Sequence, residues 1–111
     1  MTNEKVLTIV NAMQEHQGID IKSYFVGDTA GITDYFVLAS GNSKPQVDAL
    51  VDAVETALGR QGINLRNREG RADGGWVLLD YEDVIVHIFS SEMREFYNLD
   101  HTWNGVPTET F

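Results

Sequence analysis

The 111-residue chain contains no cysteine. Disulfides, thiol catalysis and Cys-ligated zinc or iron–sulfur centres are thereby excluded, and a reducing, cytoplasmic setting is expected. No apolar run approaches the ~20 residues that a membrane span requires, so no membrane association is expected. Asn3, Glu4 and Lys5 lead into an amphipathic pattern and not into a signal peptide. Positive charge is scarce: eight Lys and Arg stand against 17 Asp and Glu, a formal net charge of −9. Such a surface repels phosphate backbones, which disfavours direct nucleic-acid binding as the main activity and favours a basic partner. Acidity is also an ordinary route to solubility.

What is present is the material of one globular domain. A hydrophobic content of 42% with 23% charged residues is typical of a chain that buries a core without staples. Residues 74–90, GGWVLLDYEDVIVHIFS, organise the rest. Two apolar runs, 76–79 and 84–89, flank the polar joint 80–83 and have strand length and β-branched or aromatic composition. The short joint predicts an antiparallel hairpin. Apolar residues at nearly every position predict strands covered on both faces.

Residues 4–16 read as a helix whose stripe is Val6, Ile9, Val10 and Met13, stopped at Gly18. Residues 19–26 alternate as a strand with one wetter face, carrying Asp20, Lys22, Tyr24 and Val26. A loop over 27–33 precedes a central strand over 34–40. Ser43 and Gln46 suit a capping box, Pro45 fits a first helical turn, and Val47, Leu50, Val51, Val54 and Leu58 form the buried stripe of a helix ended by Gly59 and Gly62. A strand over 63–68, parallel to the one over 34–40, follows from the strand–helix–strand order. Arg60, Arg66, Arg68 and Arg71 supply half of all the Lys and Arg, and residues 70–75 read as a glycine-rich loop. Beyond Ser90 or Ser91 as N-cap, Met93, Phe96, Tyr97, Leu99 and Trp103 suit a last amphipathic helix with its aromatics packed inward. Residues 105–111 read as a loose tail. The sum is an α/β fold, a five-stranded mixed sheet packed by helices, in a single domain over residues 1–104.

Few residues suggest chemistry. Asp80, Glu82 and Asp83 are clustered carboxylates that either hold a divalent cation or simply make the turn, the commoner use of acids there. An Asp-x-Glu on a strand resembles part of a nucleotidyltransferase site, but the small-residue turn 41–43 lies a helix and a strand away and has no basic residue for a phosphate. His87 reads as a hydrogen-bonded core group, and His16, His87 and His101 fall on three separate elements. Trp76 shares a face with Leu78 and Asp80; beside a flexible glycine loop it is either core or an exposed anchor for a partner. Three readings follow: a binding protein, a metal-dependent nucleotidyl or phosphoryl transferase, or a dimeric adaptor for some basic protein.

Several stretches taken together carry a resemblance. DYFVLASGNS at 34–43, Glu69-Gly70, GWVLLDY at 75–81, Asp83-Val84, His87-Ile88-Phe89, REFYNL at 94–99 and Trp103 are collinear with the ribosomal silencing factor family, RsfS, also called Iojap. The resemblance runs from about residue 6 to residue 104. It implies a nucleotidyltransferase-like fold without catalytic residues, and no cofactor or metal. It implies binding to large-subunit ribosomal protein fourteen, steric blocking of small-subunit joining when nutrients are scarce, and a homodimer in the free state. Carried onto this sequence, Trp76, Leu78, Asp80 and Tyr81 become the expected docking strand, with Arg94 and Tyr97 as further contacts. Asp34, Tyr35 and His87 match positions of structural or interfacial use. Glu82 stands where the family often has glycine, and Lys44-Pro45 replaces a commoner polar or basic pair.

Overall fold

The computed structural model describes residues 3–28, 31 and 33–111. The elements run α1 (Glu4–Glu15), β1 (Ile19–Phe25), β2 (Tyr35–Gly41), α2 (Lys44–Arg60), β3 (Asn67–Arg71), a 3-10 turn (Ala72–Gly74), β4 (Trp76–Asp80), β5 (Val84–Ser90), α3 (Ser91–Tyr97), α4 (Leu99–Thr102) and β6 (Thr108–Thr110). The six strands form one mixed sheet in the order β3-β4-β5-β2-β1-β6. Only β2 and β5 pair in parallel. The α/β class and the mixed sheet packed by helices are as expected, with one strand more than the sequence suggested. The extra strand is β6, which turns residues 108–110 of the expected loose tail into an edge paired antiparallel with β1. Part of the loop expected over 27–33, residues 29, 30 and 32, lies outside the described residues.

The two long helices form as their sequences dictate. Asn3 caps α1, its side-chain oxygen accepting from the N–H groups of Lys5 and Val6. Ser43 caps α2 by accepting from the Gln46 N–H, and the Gln46 side chain reaches back to the N–H of Asn42 rather than of Ser43. The stripes Val6, Ile9, Val10, Met13 and Val47, Leu50, Val51, Val54, Leu58 are buried to the last residue against one face of the sheet. There they meet Val37, Ala39, Val77, Leu79, Val86 and Ile88. Gly59 does not stop α2, which runs to Arg60 and caps at Gln61; the left-handed turn falls at Gly62, φ 76°.

The opposite face is covered by less. Tyr24, Val26, Phe36, Leu38 and Phe89 are buried there beneath Met93, Leu99, Trp103 and Val106. The face of β1 expected to be wetter is so only at Asp20 and Lys22; Tyr24 and the following Val26 are buried, because α4 and the C-terminal residues fold over them. The last helix is broken at Asn98, which takes a left-handed conformation, φ 51°, between α3 and α4. Within α3 the inward residue is Arg94, and Phe96, two positions on and so on the opposite side of the helix, is 74% exposed rather than packed inward. The expected strand over 63–68 begins later: Ile63 and Leu65 pack against the core without strand pairing, and β3 takes up the arginine- and glycine-containing stretch through Arg71. It runs parallel in sense to β2 but lies three places away, with β4 and β5 between them.

Arg94 ties α3 and α4 to the sheet. Its side chain makes a two-pronged ion pair with Asp100, Nε to Oδ2 at 2.7 Å and Nη2 to Oδ1 at 3.1 Å. It also donates to Ser40 Oγ at 3.0 Å and to the Asp20 carbonyl at 2.9 Å, and the Tyr24 hydroxyl donates to Asp100. Burial works against the Asp100 carboxylate, but hydrogen bonds from Arg94 and Tyr24 and the Arg94 charge outweigh it and hold its pKa below the ordinary value. Burial, with the bond to Asp100 second, raises the pKa of Tyr24. An Asp100→Ala change leaves the Arg94 guanidinium 8% exposed and without its counter-charge. Urea unfolding should show a loss of about 3 kcal/mol; a loss under about 1 kcal/mol, the range of exposed pairs, would mean that the network is surface decoration. Glu82 takes φ 77° in the turn between β4 and β5. Glu82→Gly should therefore gain about 0.5–1 kcal/mol in the same assay, the left-handed penalty of a side chain exceeding the entropic cost of glycine.

Candidate docking surface

Strand β4 is one place in from the sheet edge, and its alternation splits it cleanly. Val77 and Leu79 are fully buried toward α1 and α2, while Trp76, Leu78 and Asp80 are half-buried on the other face. The hairpin register pairs Trp76 with Phe89, Leu78 with His87 and Asp80 with Ile85. The second strand of the hairpin is buried on both faces as expected; the first is not, because α3 and α4 do not reach far enough to cover it.

The same alternation sends Tyr81 the other way. Its ring is 3% exposed in the main core, and burial, with Glu55 second, pushes its pKa up to about 12. Arg94 is likewise an internal residue. Of the six side chains expected to meet a partner, Trp76, Leu78, Asp80 and Tyr97 reach the surface, and Tyr81 and Arg94 support it from beneath. Tyr97, 45% exposed, lies on Trp76 with ring centroids 4.5 Å apart, and Phe96 meets Tyr97 edge-on at 5.2 Å. The tryptophan is thus both things the sequence allowed: its ring stacks on Phe89 at 5.1 Å, yet it stays only half-buried. A shallow hollow of about 210 Å³ lies beside it, lined by Glu69, Gly70, Trp76 and Leu78. Gly70 is required there: at φ 81°, a Cβ would fall 2.1 Å from the Trp76 carbonyl oxygen. Phe96 and Glu69 belong to this surface and were not picked out as contacts. The missing information was the burial of Arg94, which turns the other side of α3 outward, for the first and the β3–β4 register, which sets Glu69 opposite Leu78, for the second.

The carboxylates of the joint are occupied with structure. Asp80 Oδ1 accepts from the Glu82 N–H at 2.8 Å, and Asp83 pairs with Lys5 of α1. Among the described residues no three His, Asp or Glu converge in a way that suits a metal ion. Nor is any helix of the described residues long and apolar enough to cross a membrane.

His87 is 4% exposed in the middle of β5. The Trp76 indole Nε1–H donates to its Nδ1 at 3.1 Å. Since indole is only a donor, Nδ1 is the accepting nitrogen and the ring proton sits on Nε2. That Nε2 is buried with no protein partner. Phe36 meets the ring edge-on at 5.1 Å and Phe89 lies parallel to it at 6.1 Å. Burial in this apolar cage pushes the His87 pKa down to about 4 from 6.5. Between those values the unfolded chain binds a proton that the native chain refuses. Stability should be full above pH ~6.5 and fall by on the order of 3 kcal/mol as pH drops to ~4, with no further loss from this group below. Urea unfolding from pH 7.5 to 4 measures the fall. His87→Phe should lack this component, and an equal slope in that variant would assign the loss to other groups.

A family model described as ribosomal silencing factor during starvation matches residues 1–110. A Halalkalibacterium halodurans protein named ribosomal silencing factor RsfS is 33% identical over 109 residues, covering 97% of this chain and 93% of its own. A crystal structure of a Chromobacterium violaceum protein superposes with a TM-score of 0.87 at 28% identity, covering 95% of this chain and 88% of that one. A mouse protein named mitochondrial assembly of ribosomal large subunit protein 1 is 28% identical over 102 residues, 86% of this chain and 43% of its own. Sequence and fold agree along nearly the whole length, and the chain belongs to the ribosomal silencing factor family.

Proposed function

We propose that this chain is a non-enzymatic repressor of translation that docks on ribosomal protein fourteen of the large subunit and sterically blocks joining of the small subunit when nutrients are scarce. No bond is made or broken; the frame is nucleotidyltransferase-like and does no nucleotide chemistry. The observation that carries the reading is the open face of β4, where Trp76, Leu78, Asp80 and Tyr97 form an aromatic anchor with a carboxylate at its side. Aromatic residues held in a rigid sheet lose little entropy on binding and commonly dominate an interface. The net charge of −9 suits a basic ribosomal protein and disfavours bare RNA as the landing site. The name of the mouse relative also refers to the large ribosomal subunit. Tyr81 and Arg94 act from behind, the first by anchoring the end of β4 in the core and the second by fixing α3 under Tyr97. In the cytoplasm the free chain is a homodimer.

Gradient sedimentation with purified subunits tests this. The chain should travel with large subunits and reduce subunit joining. Trp76→Ala should weaken binding by about 30-fold or more, as truncation of a hot-spot residue does, with an unchanged unfolding transition. Leu7→Ala, at a 40% exposed residue of α1 on the far side of the sheet, should bind as wild type. Normal binding by Trp76→Ala would move the contact elsewhere, and no co-sedimentation of the wild type would end the ribosomal reading.

A further inference from the structure

His87 is an expensive residue in a place where stability alone would choose another. Its imidazole is packed among the rings of Phe36, Phe89 and Trp76. Its Nε2–H is buried without a protein partner, which carries a desolvation cost that a phenylalanine or leucine would not. What the imidazole does offer is one acceptor, Nδ1, met by the Trp76 Nε1–H at 3.1 Å. Cross-strand geometry makes that contact diagonal: His87 is paired with Leu78, and Trp76 with Phe89, two residues on. Trp76 is half-buried, with Phe89 at 5.1 Å and Tyr97 at 4.5 Å against its ring; such ring packing is not directional, and alone it leaves the indole able to slide or tip about χ2. The hydrogen bond supplies the one directional restraint. It also consumes the indole's only polar group, so the anchor offers the partner a purely apolar face.

We propose that His87 is the positioning residue of the docking surface: its Nδ1 fixes the orientation of the Trp76 indole so that the ring is already in its bound pose before the partner arrives. The inference rests on the docking reading above for its consequence, but the restraint itself belongs to the free chain. Pre-organising an anchor raises affinity by removing an ordering cost that would otherwise be met on binding. The protein gives up some stability in β5 to keep the anchor in place, as functional sites often do.

The test uses the full chain with His87→Phe and His87→Leu, which fill the cage without an acceptor, and His87→Asn, whose carboxamide oxygen takes the place of Nδ1. In the free chain, the Trp76 indole N–H should exchange with solvent at least tenfold faster in the Phe and Leu variants, measured relative to backbone amides of β5, and at near wild-type rate in His87→Asn. Both apolar variants should melt at or above the wild-type temperature near pH 7. Binding to purified large subunits should weaken about tenfold in the apolar variants and recover in His87→Asn. In a Trp76→Ala background, His87→Phe should add nothing, because its effect passes through the indole. Unchanged indole exchange in the apolar variants overturns the proposal, as does an equal loss of binding with and without Trp76. If the wild type itself fails to bind large subunits, the docking reading falls, and the exchange comparison alone decides whether His87 holds the indole.

Discussion

The two faces of the sheet are covered by unequal lengths of helix, and the rest of the molecule follows from that inequality. Six strands at about 4.8 Å spacing make a sheet roughly 24 Å across between its outermost strands. Helices α1 and α2, 12 and 17 residues long, span about 18 and 25 Å at 1.5 Å per residue and can seal one face completely. Helices α3 and α4 have seven and four residues, and even end to end would reach only about 16 Å. They cover β1, β2 and part of β5, and the open remainder falls on β4. The edge strands β3 and β6 are exposed throughout but polar, so the half-covered β4 leaves apolar side chains facing solvent in one contiguous place, which is the usual mark of an interaction site. Trp76, Leu78 and Tyr97 lie there because nothing in the chain is long enough to cover them.

Short helices need more than packing to stay put, since isolated helices of this length are far below the size that persists in water. The buried charge network around Arg94 does this for α3 and α4. It joins them to the Ser40 hydroxyl in β2 and to the Asp20 carbonyl in β1, and Asp20 itself is displaced by the irregular register at the start of that strand, with φ 52°. A buried ion pair is a poor source of net stability, because desolvation offsets much of its attraction. Its value lies in direction: an arginine with four bonds to three elements accepts one arrangement, where a leucine in its place would accept several. Tyr97 depends on that, being the last residue of a helix held at its start by the Ser90 cap and Met93 packing and, three residues before Tyr97, by Arg94.

Much of the fold could be read from periodicity. The stripes of α1 and α2, the hairpin, the central strand and the cap at Ser43 are local patterns, and local patterns decide them. Three features were hidden because they depend on contacts between distant residues. Strand β6 has no apolar alternation of its own, and Thr108, Glu109 and Thr110 become a strand only because β1 presents a free edge. The break at Asn98 depends on the Arg94–Asp100 pair, which needs the chain to turn between them. The start of β3 was misplaced because Ile63 and Leu65 are apolar enough to suggest a strand and are in fact a packed connection. For the candidate site, alternation had already put Trp76, Leu78 and Asp80 together. Applied one residue further, it also excluded Tyr81, which the family resemblance had grouped with them.

On the docking reading proposed above, Asp80 is a contact residue and a structural residue at once. One of its carboxylate oxygens closes the turn by accepting from the Glu82 N–H, while the side chain remains half-exposed on the face that carries Trp76. A carboxylate held by a backbone donor is already oriented, so a basic group of a partner meets a fixed acceptor and not a mobile one. The same holds for Trp76, whose one polar atom is satisfied by His87, and for Tyr97, whose ring lies against Trp76. Trp76, Asp80 and Tyr97 are each restrained by a contact within the chain before any partner is present. On a face so small, rigidity of this kind is what allows a few side chains to yield useful affinity, because little of their interaction is spent on ordering them.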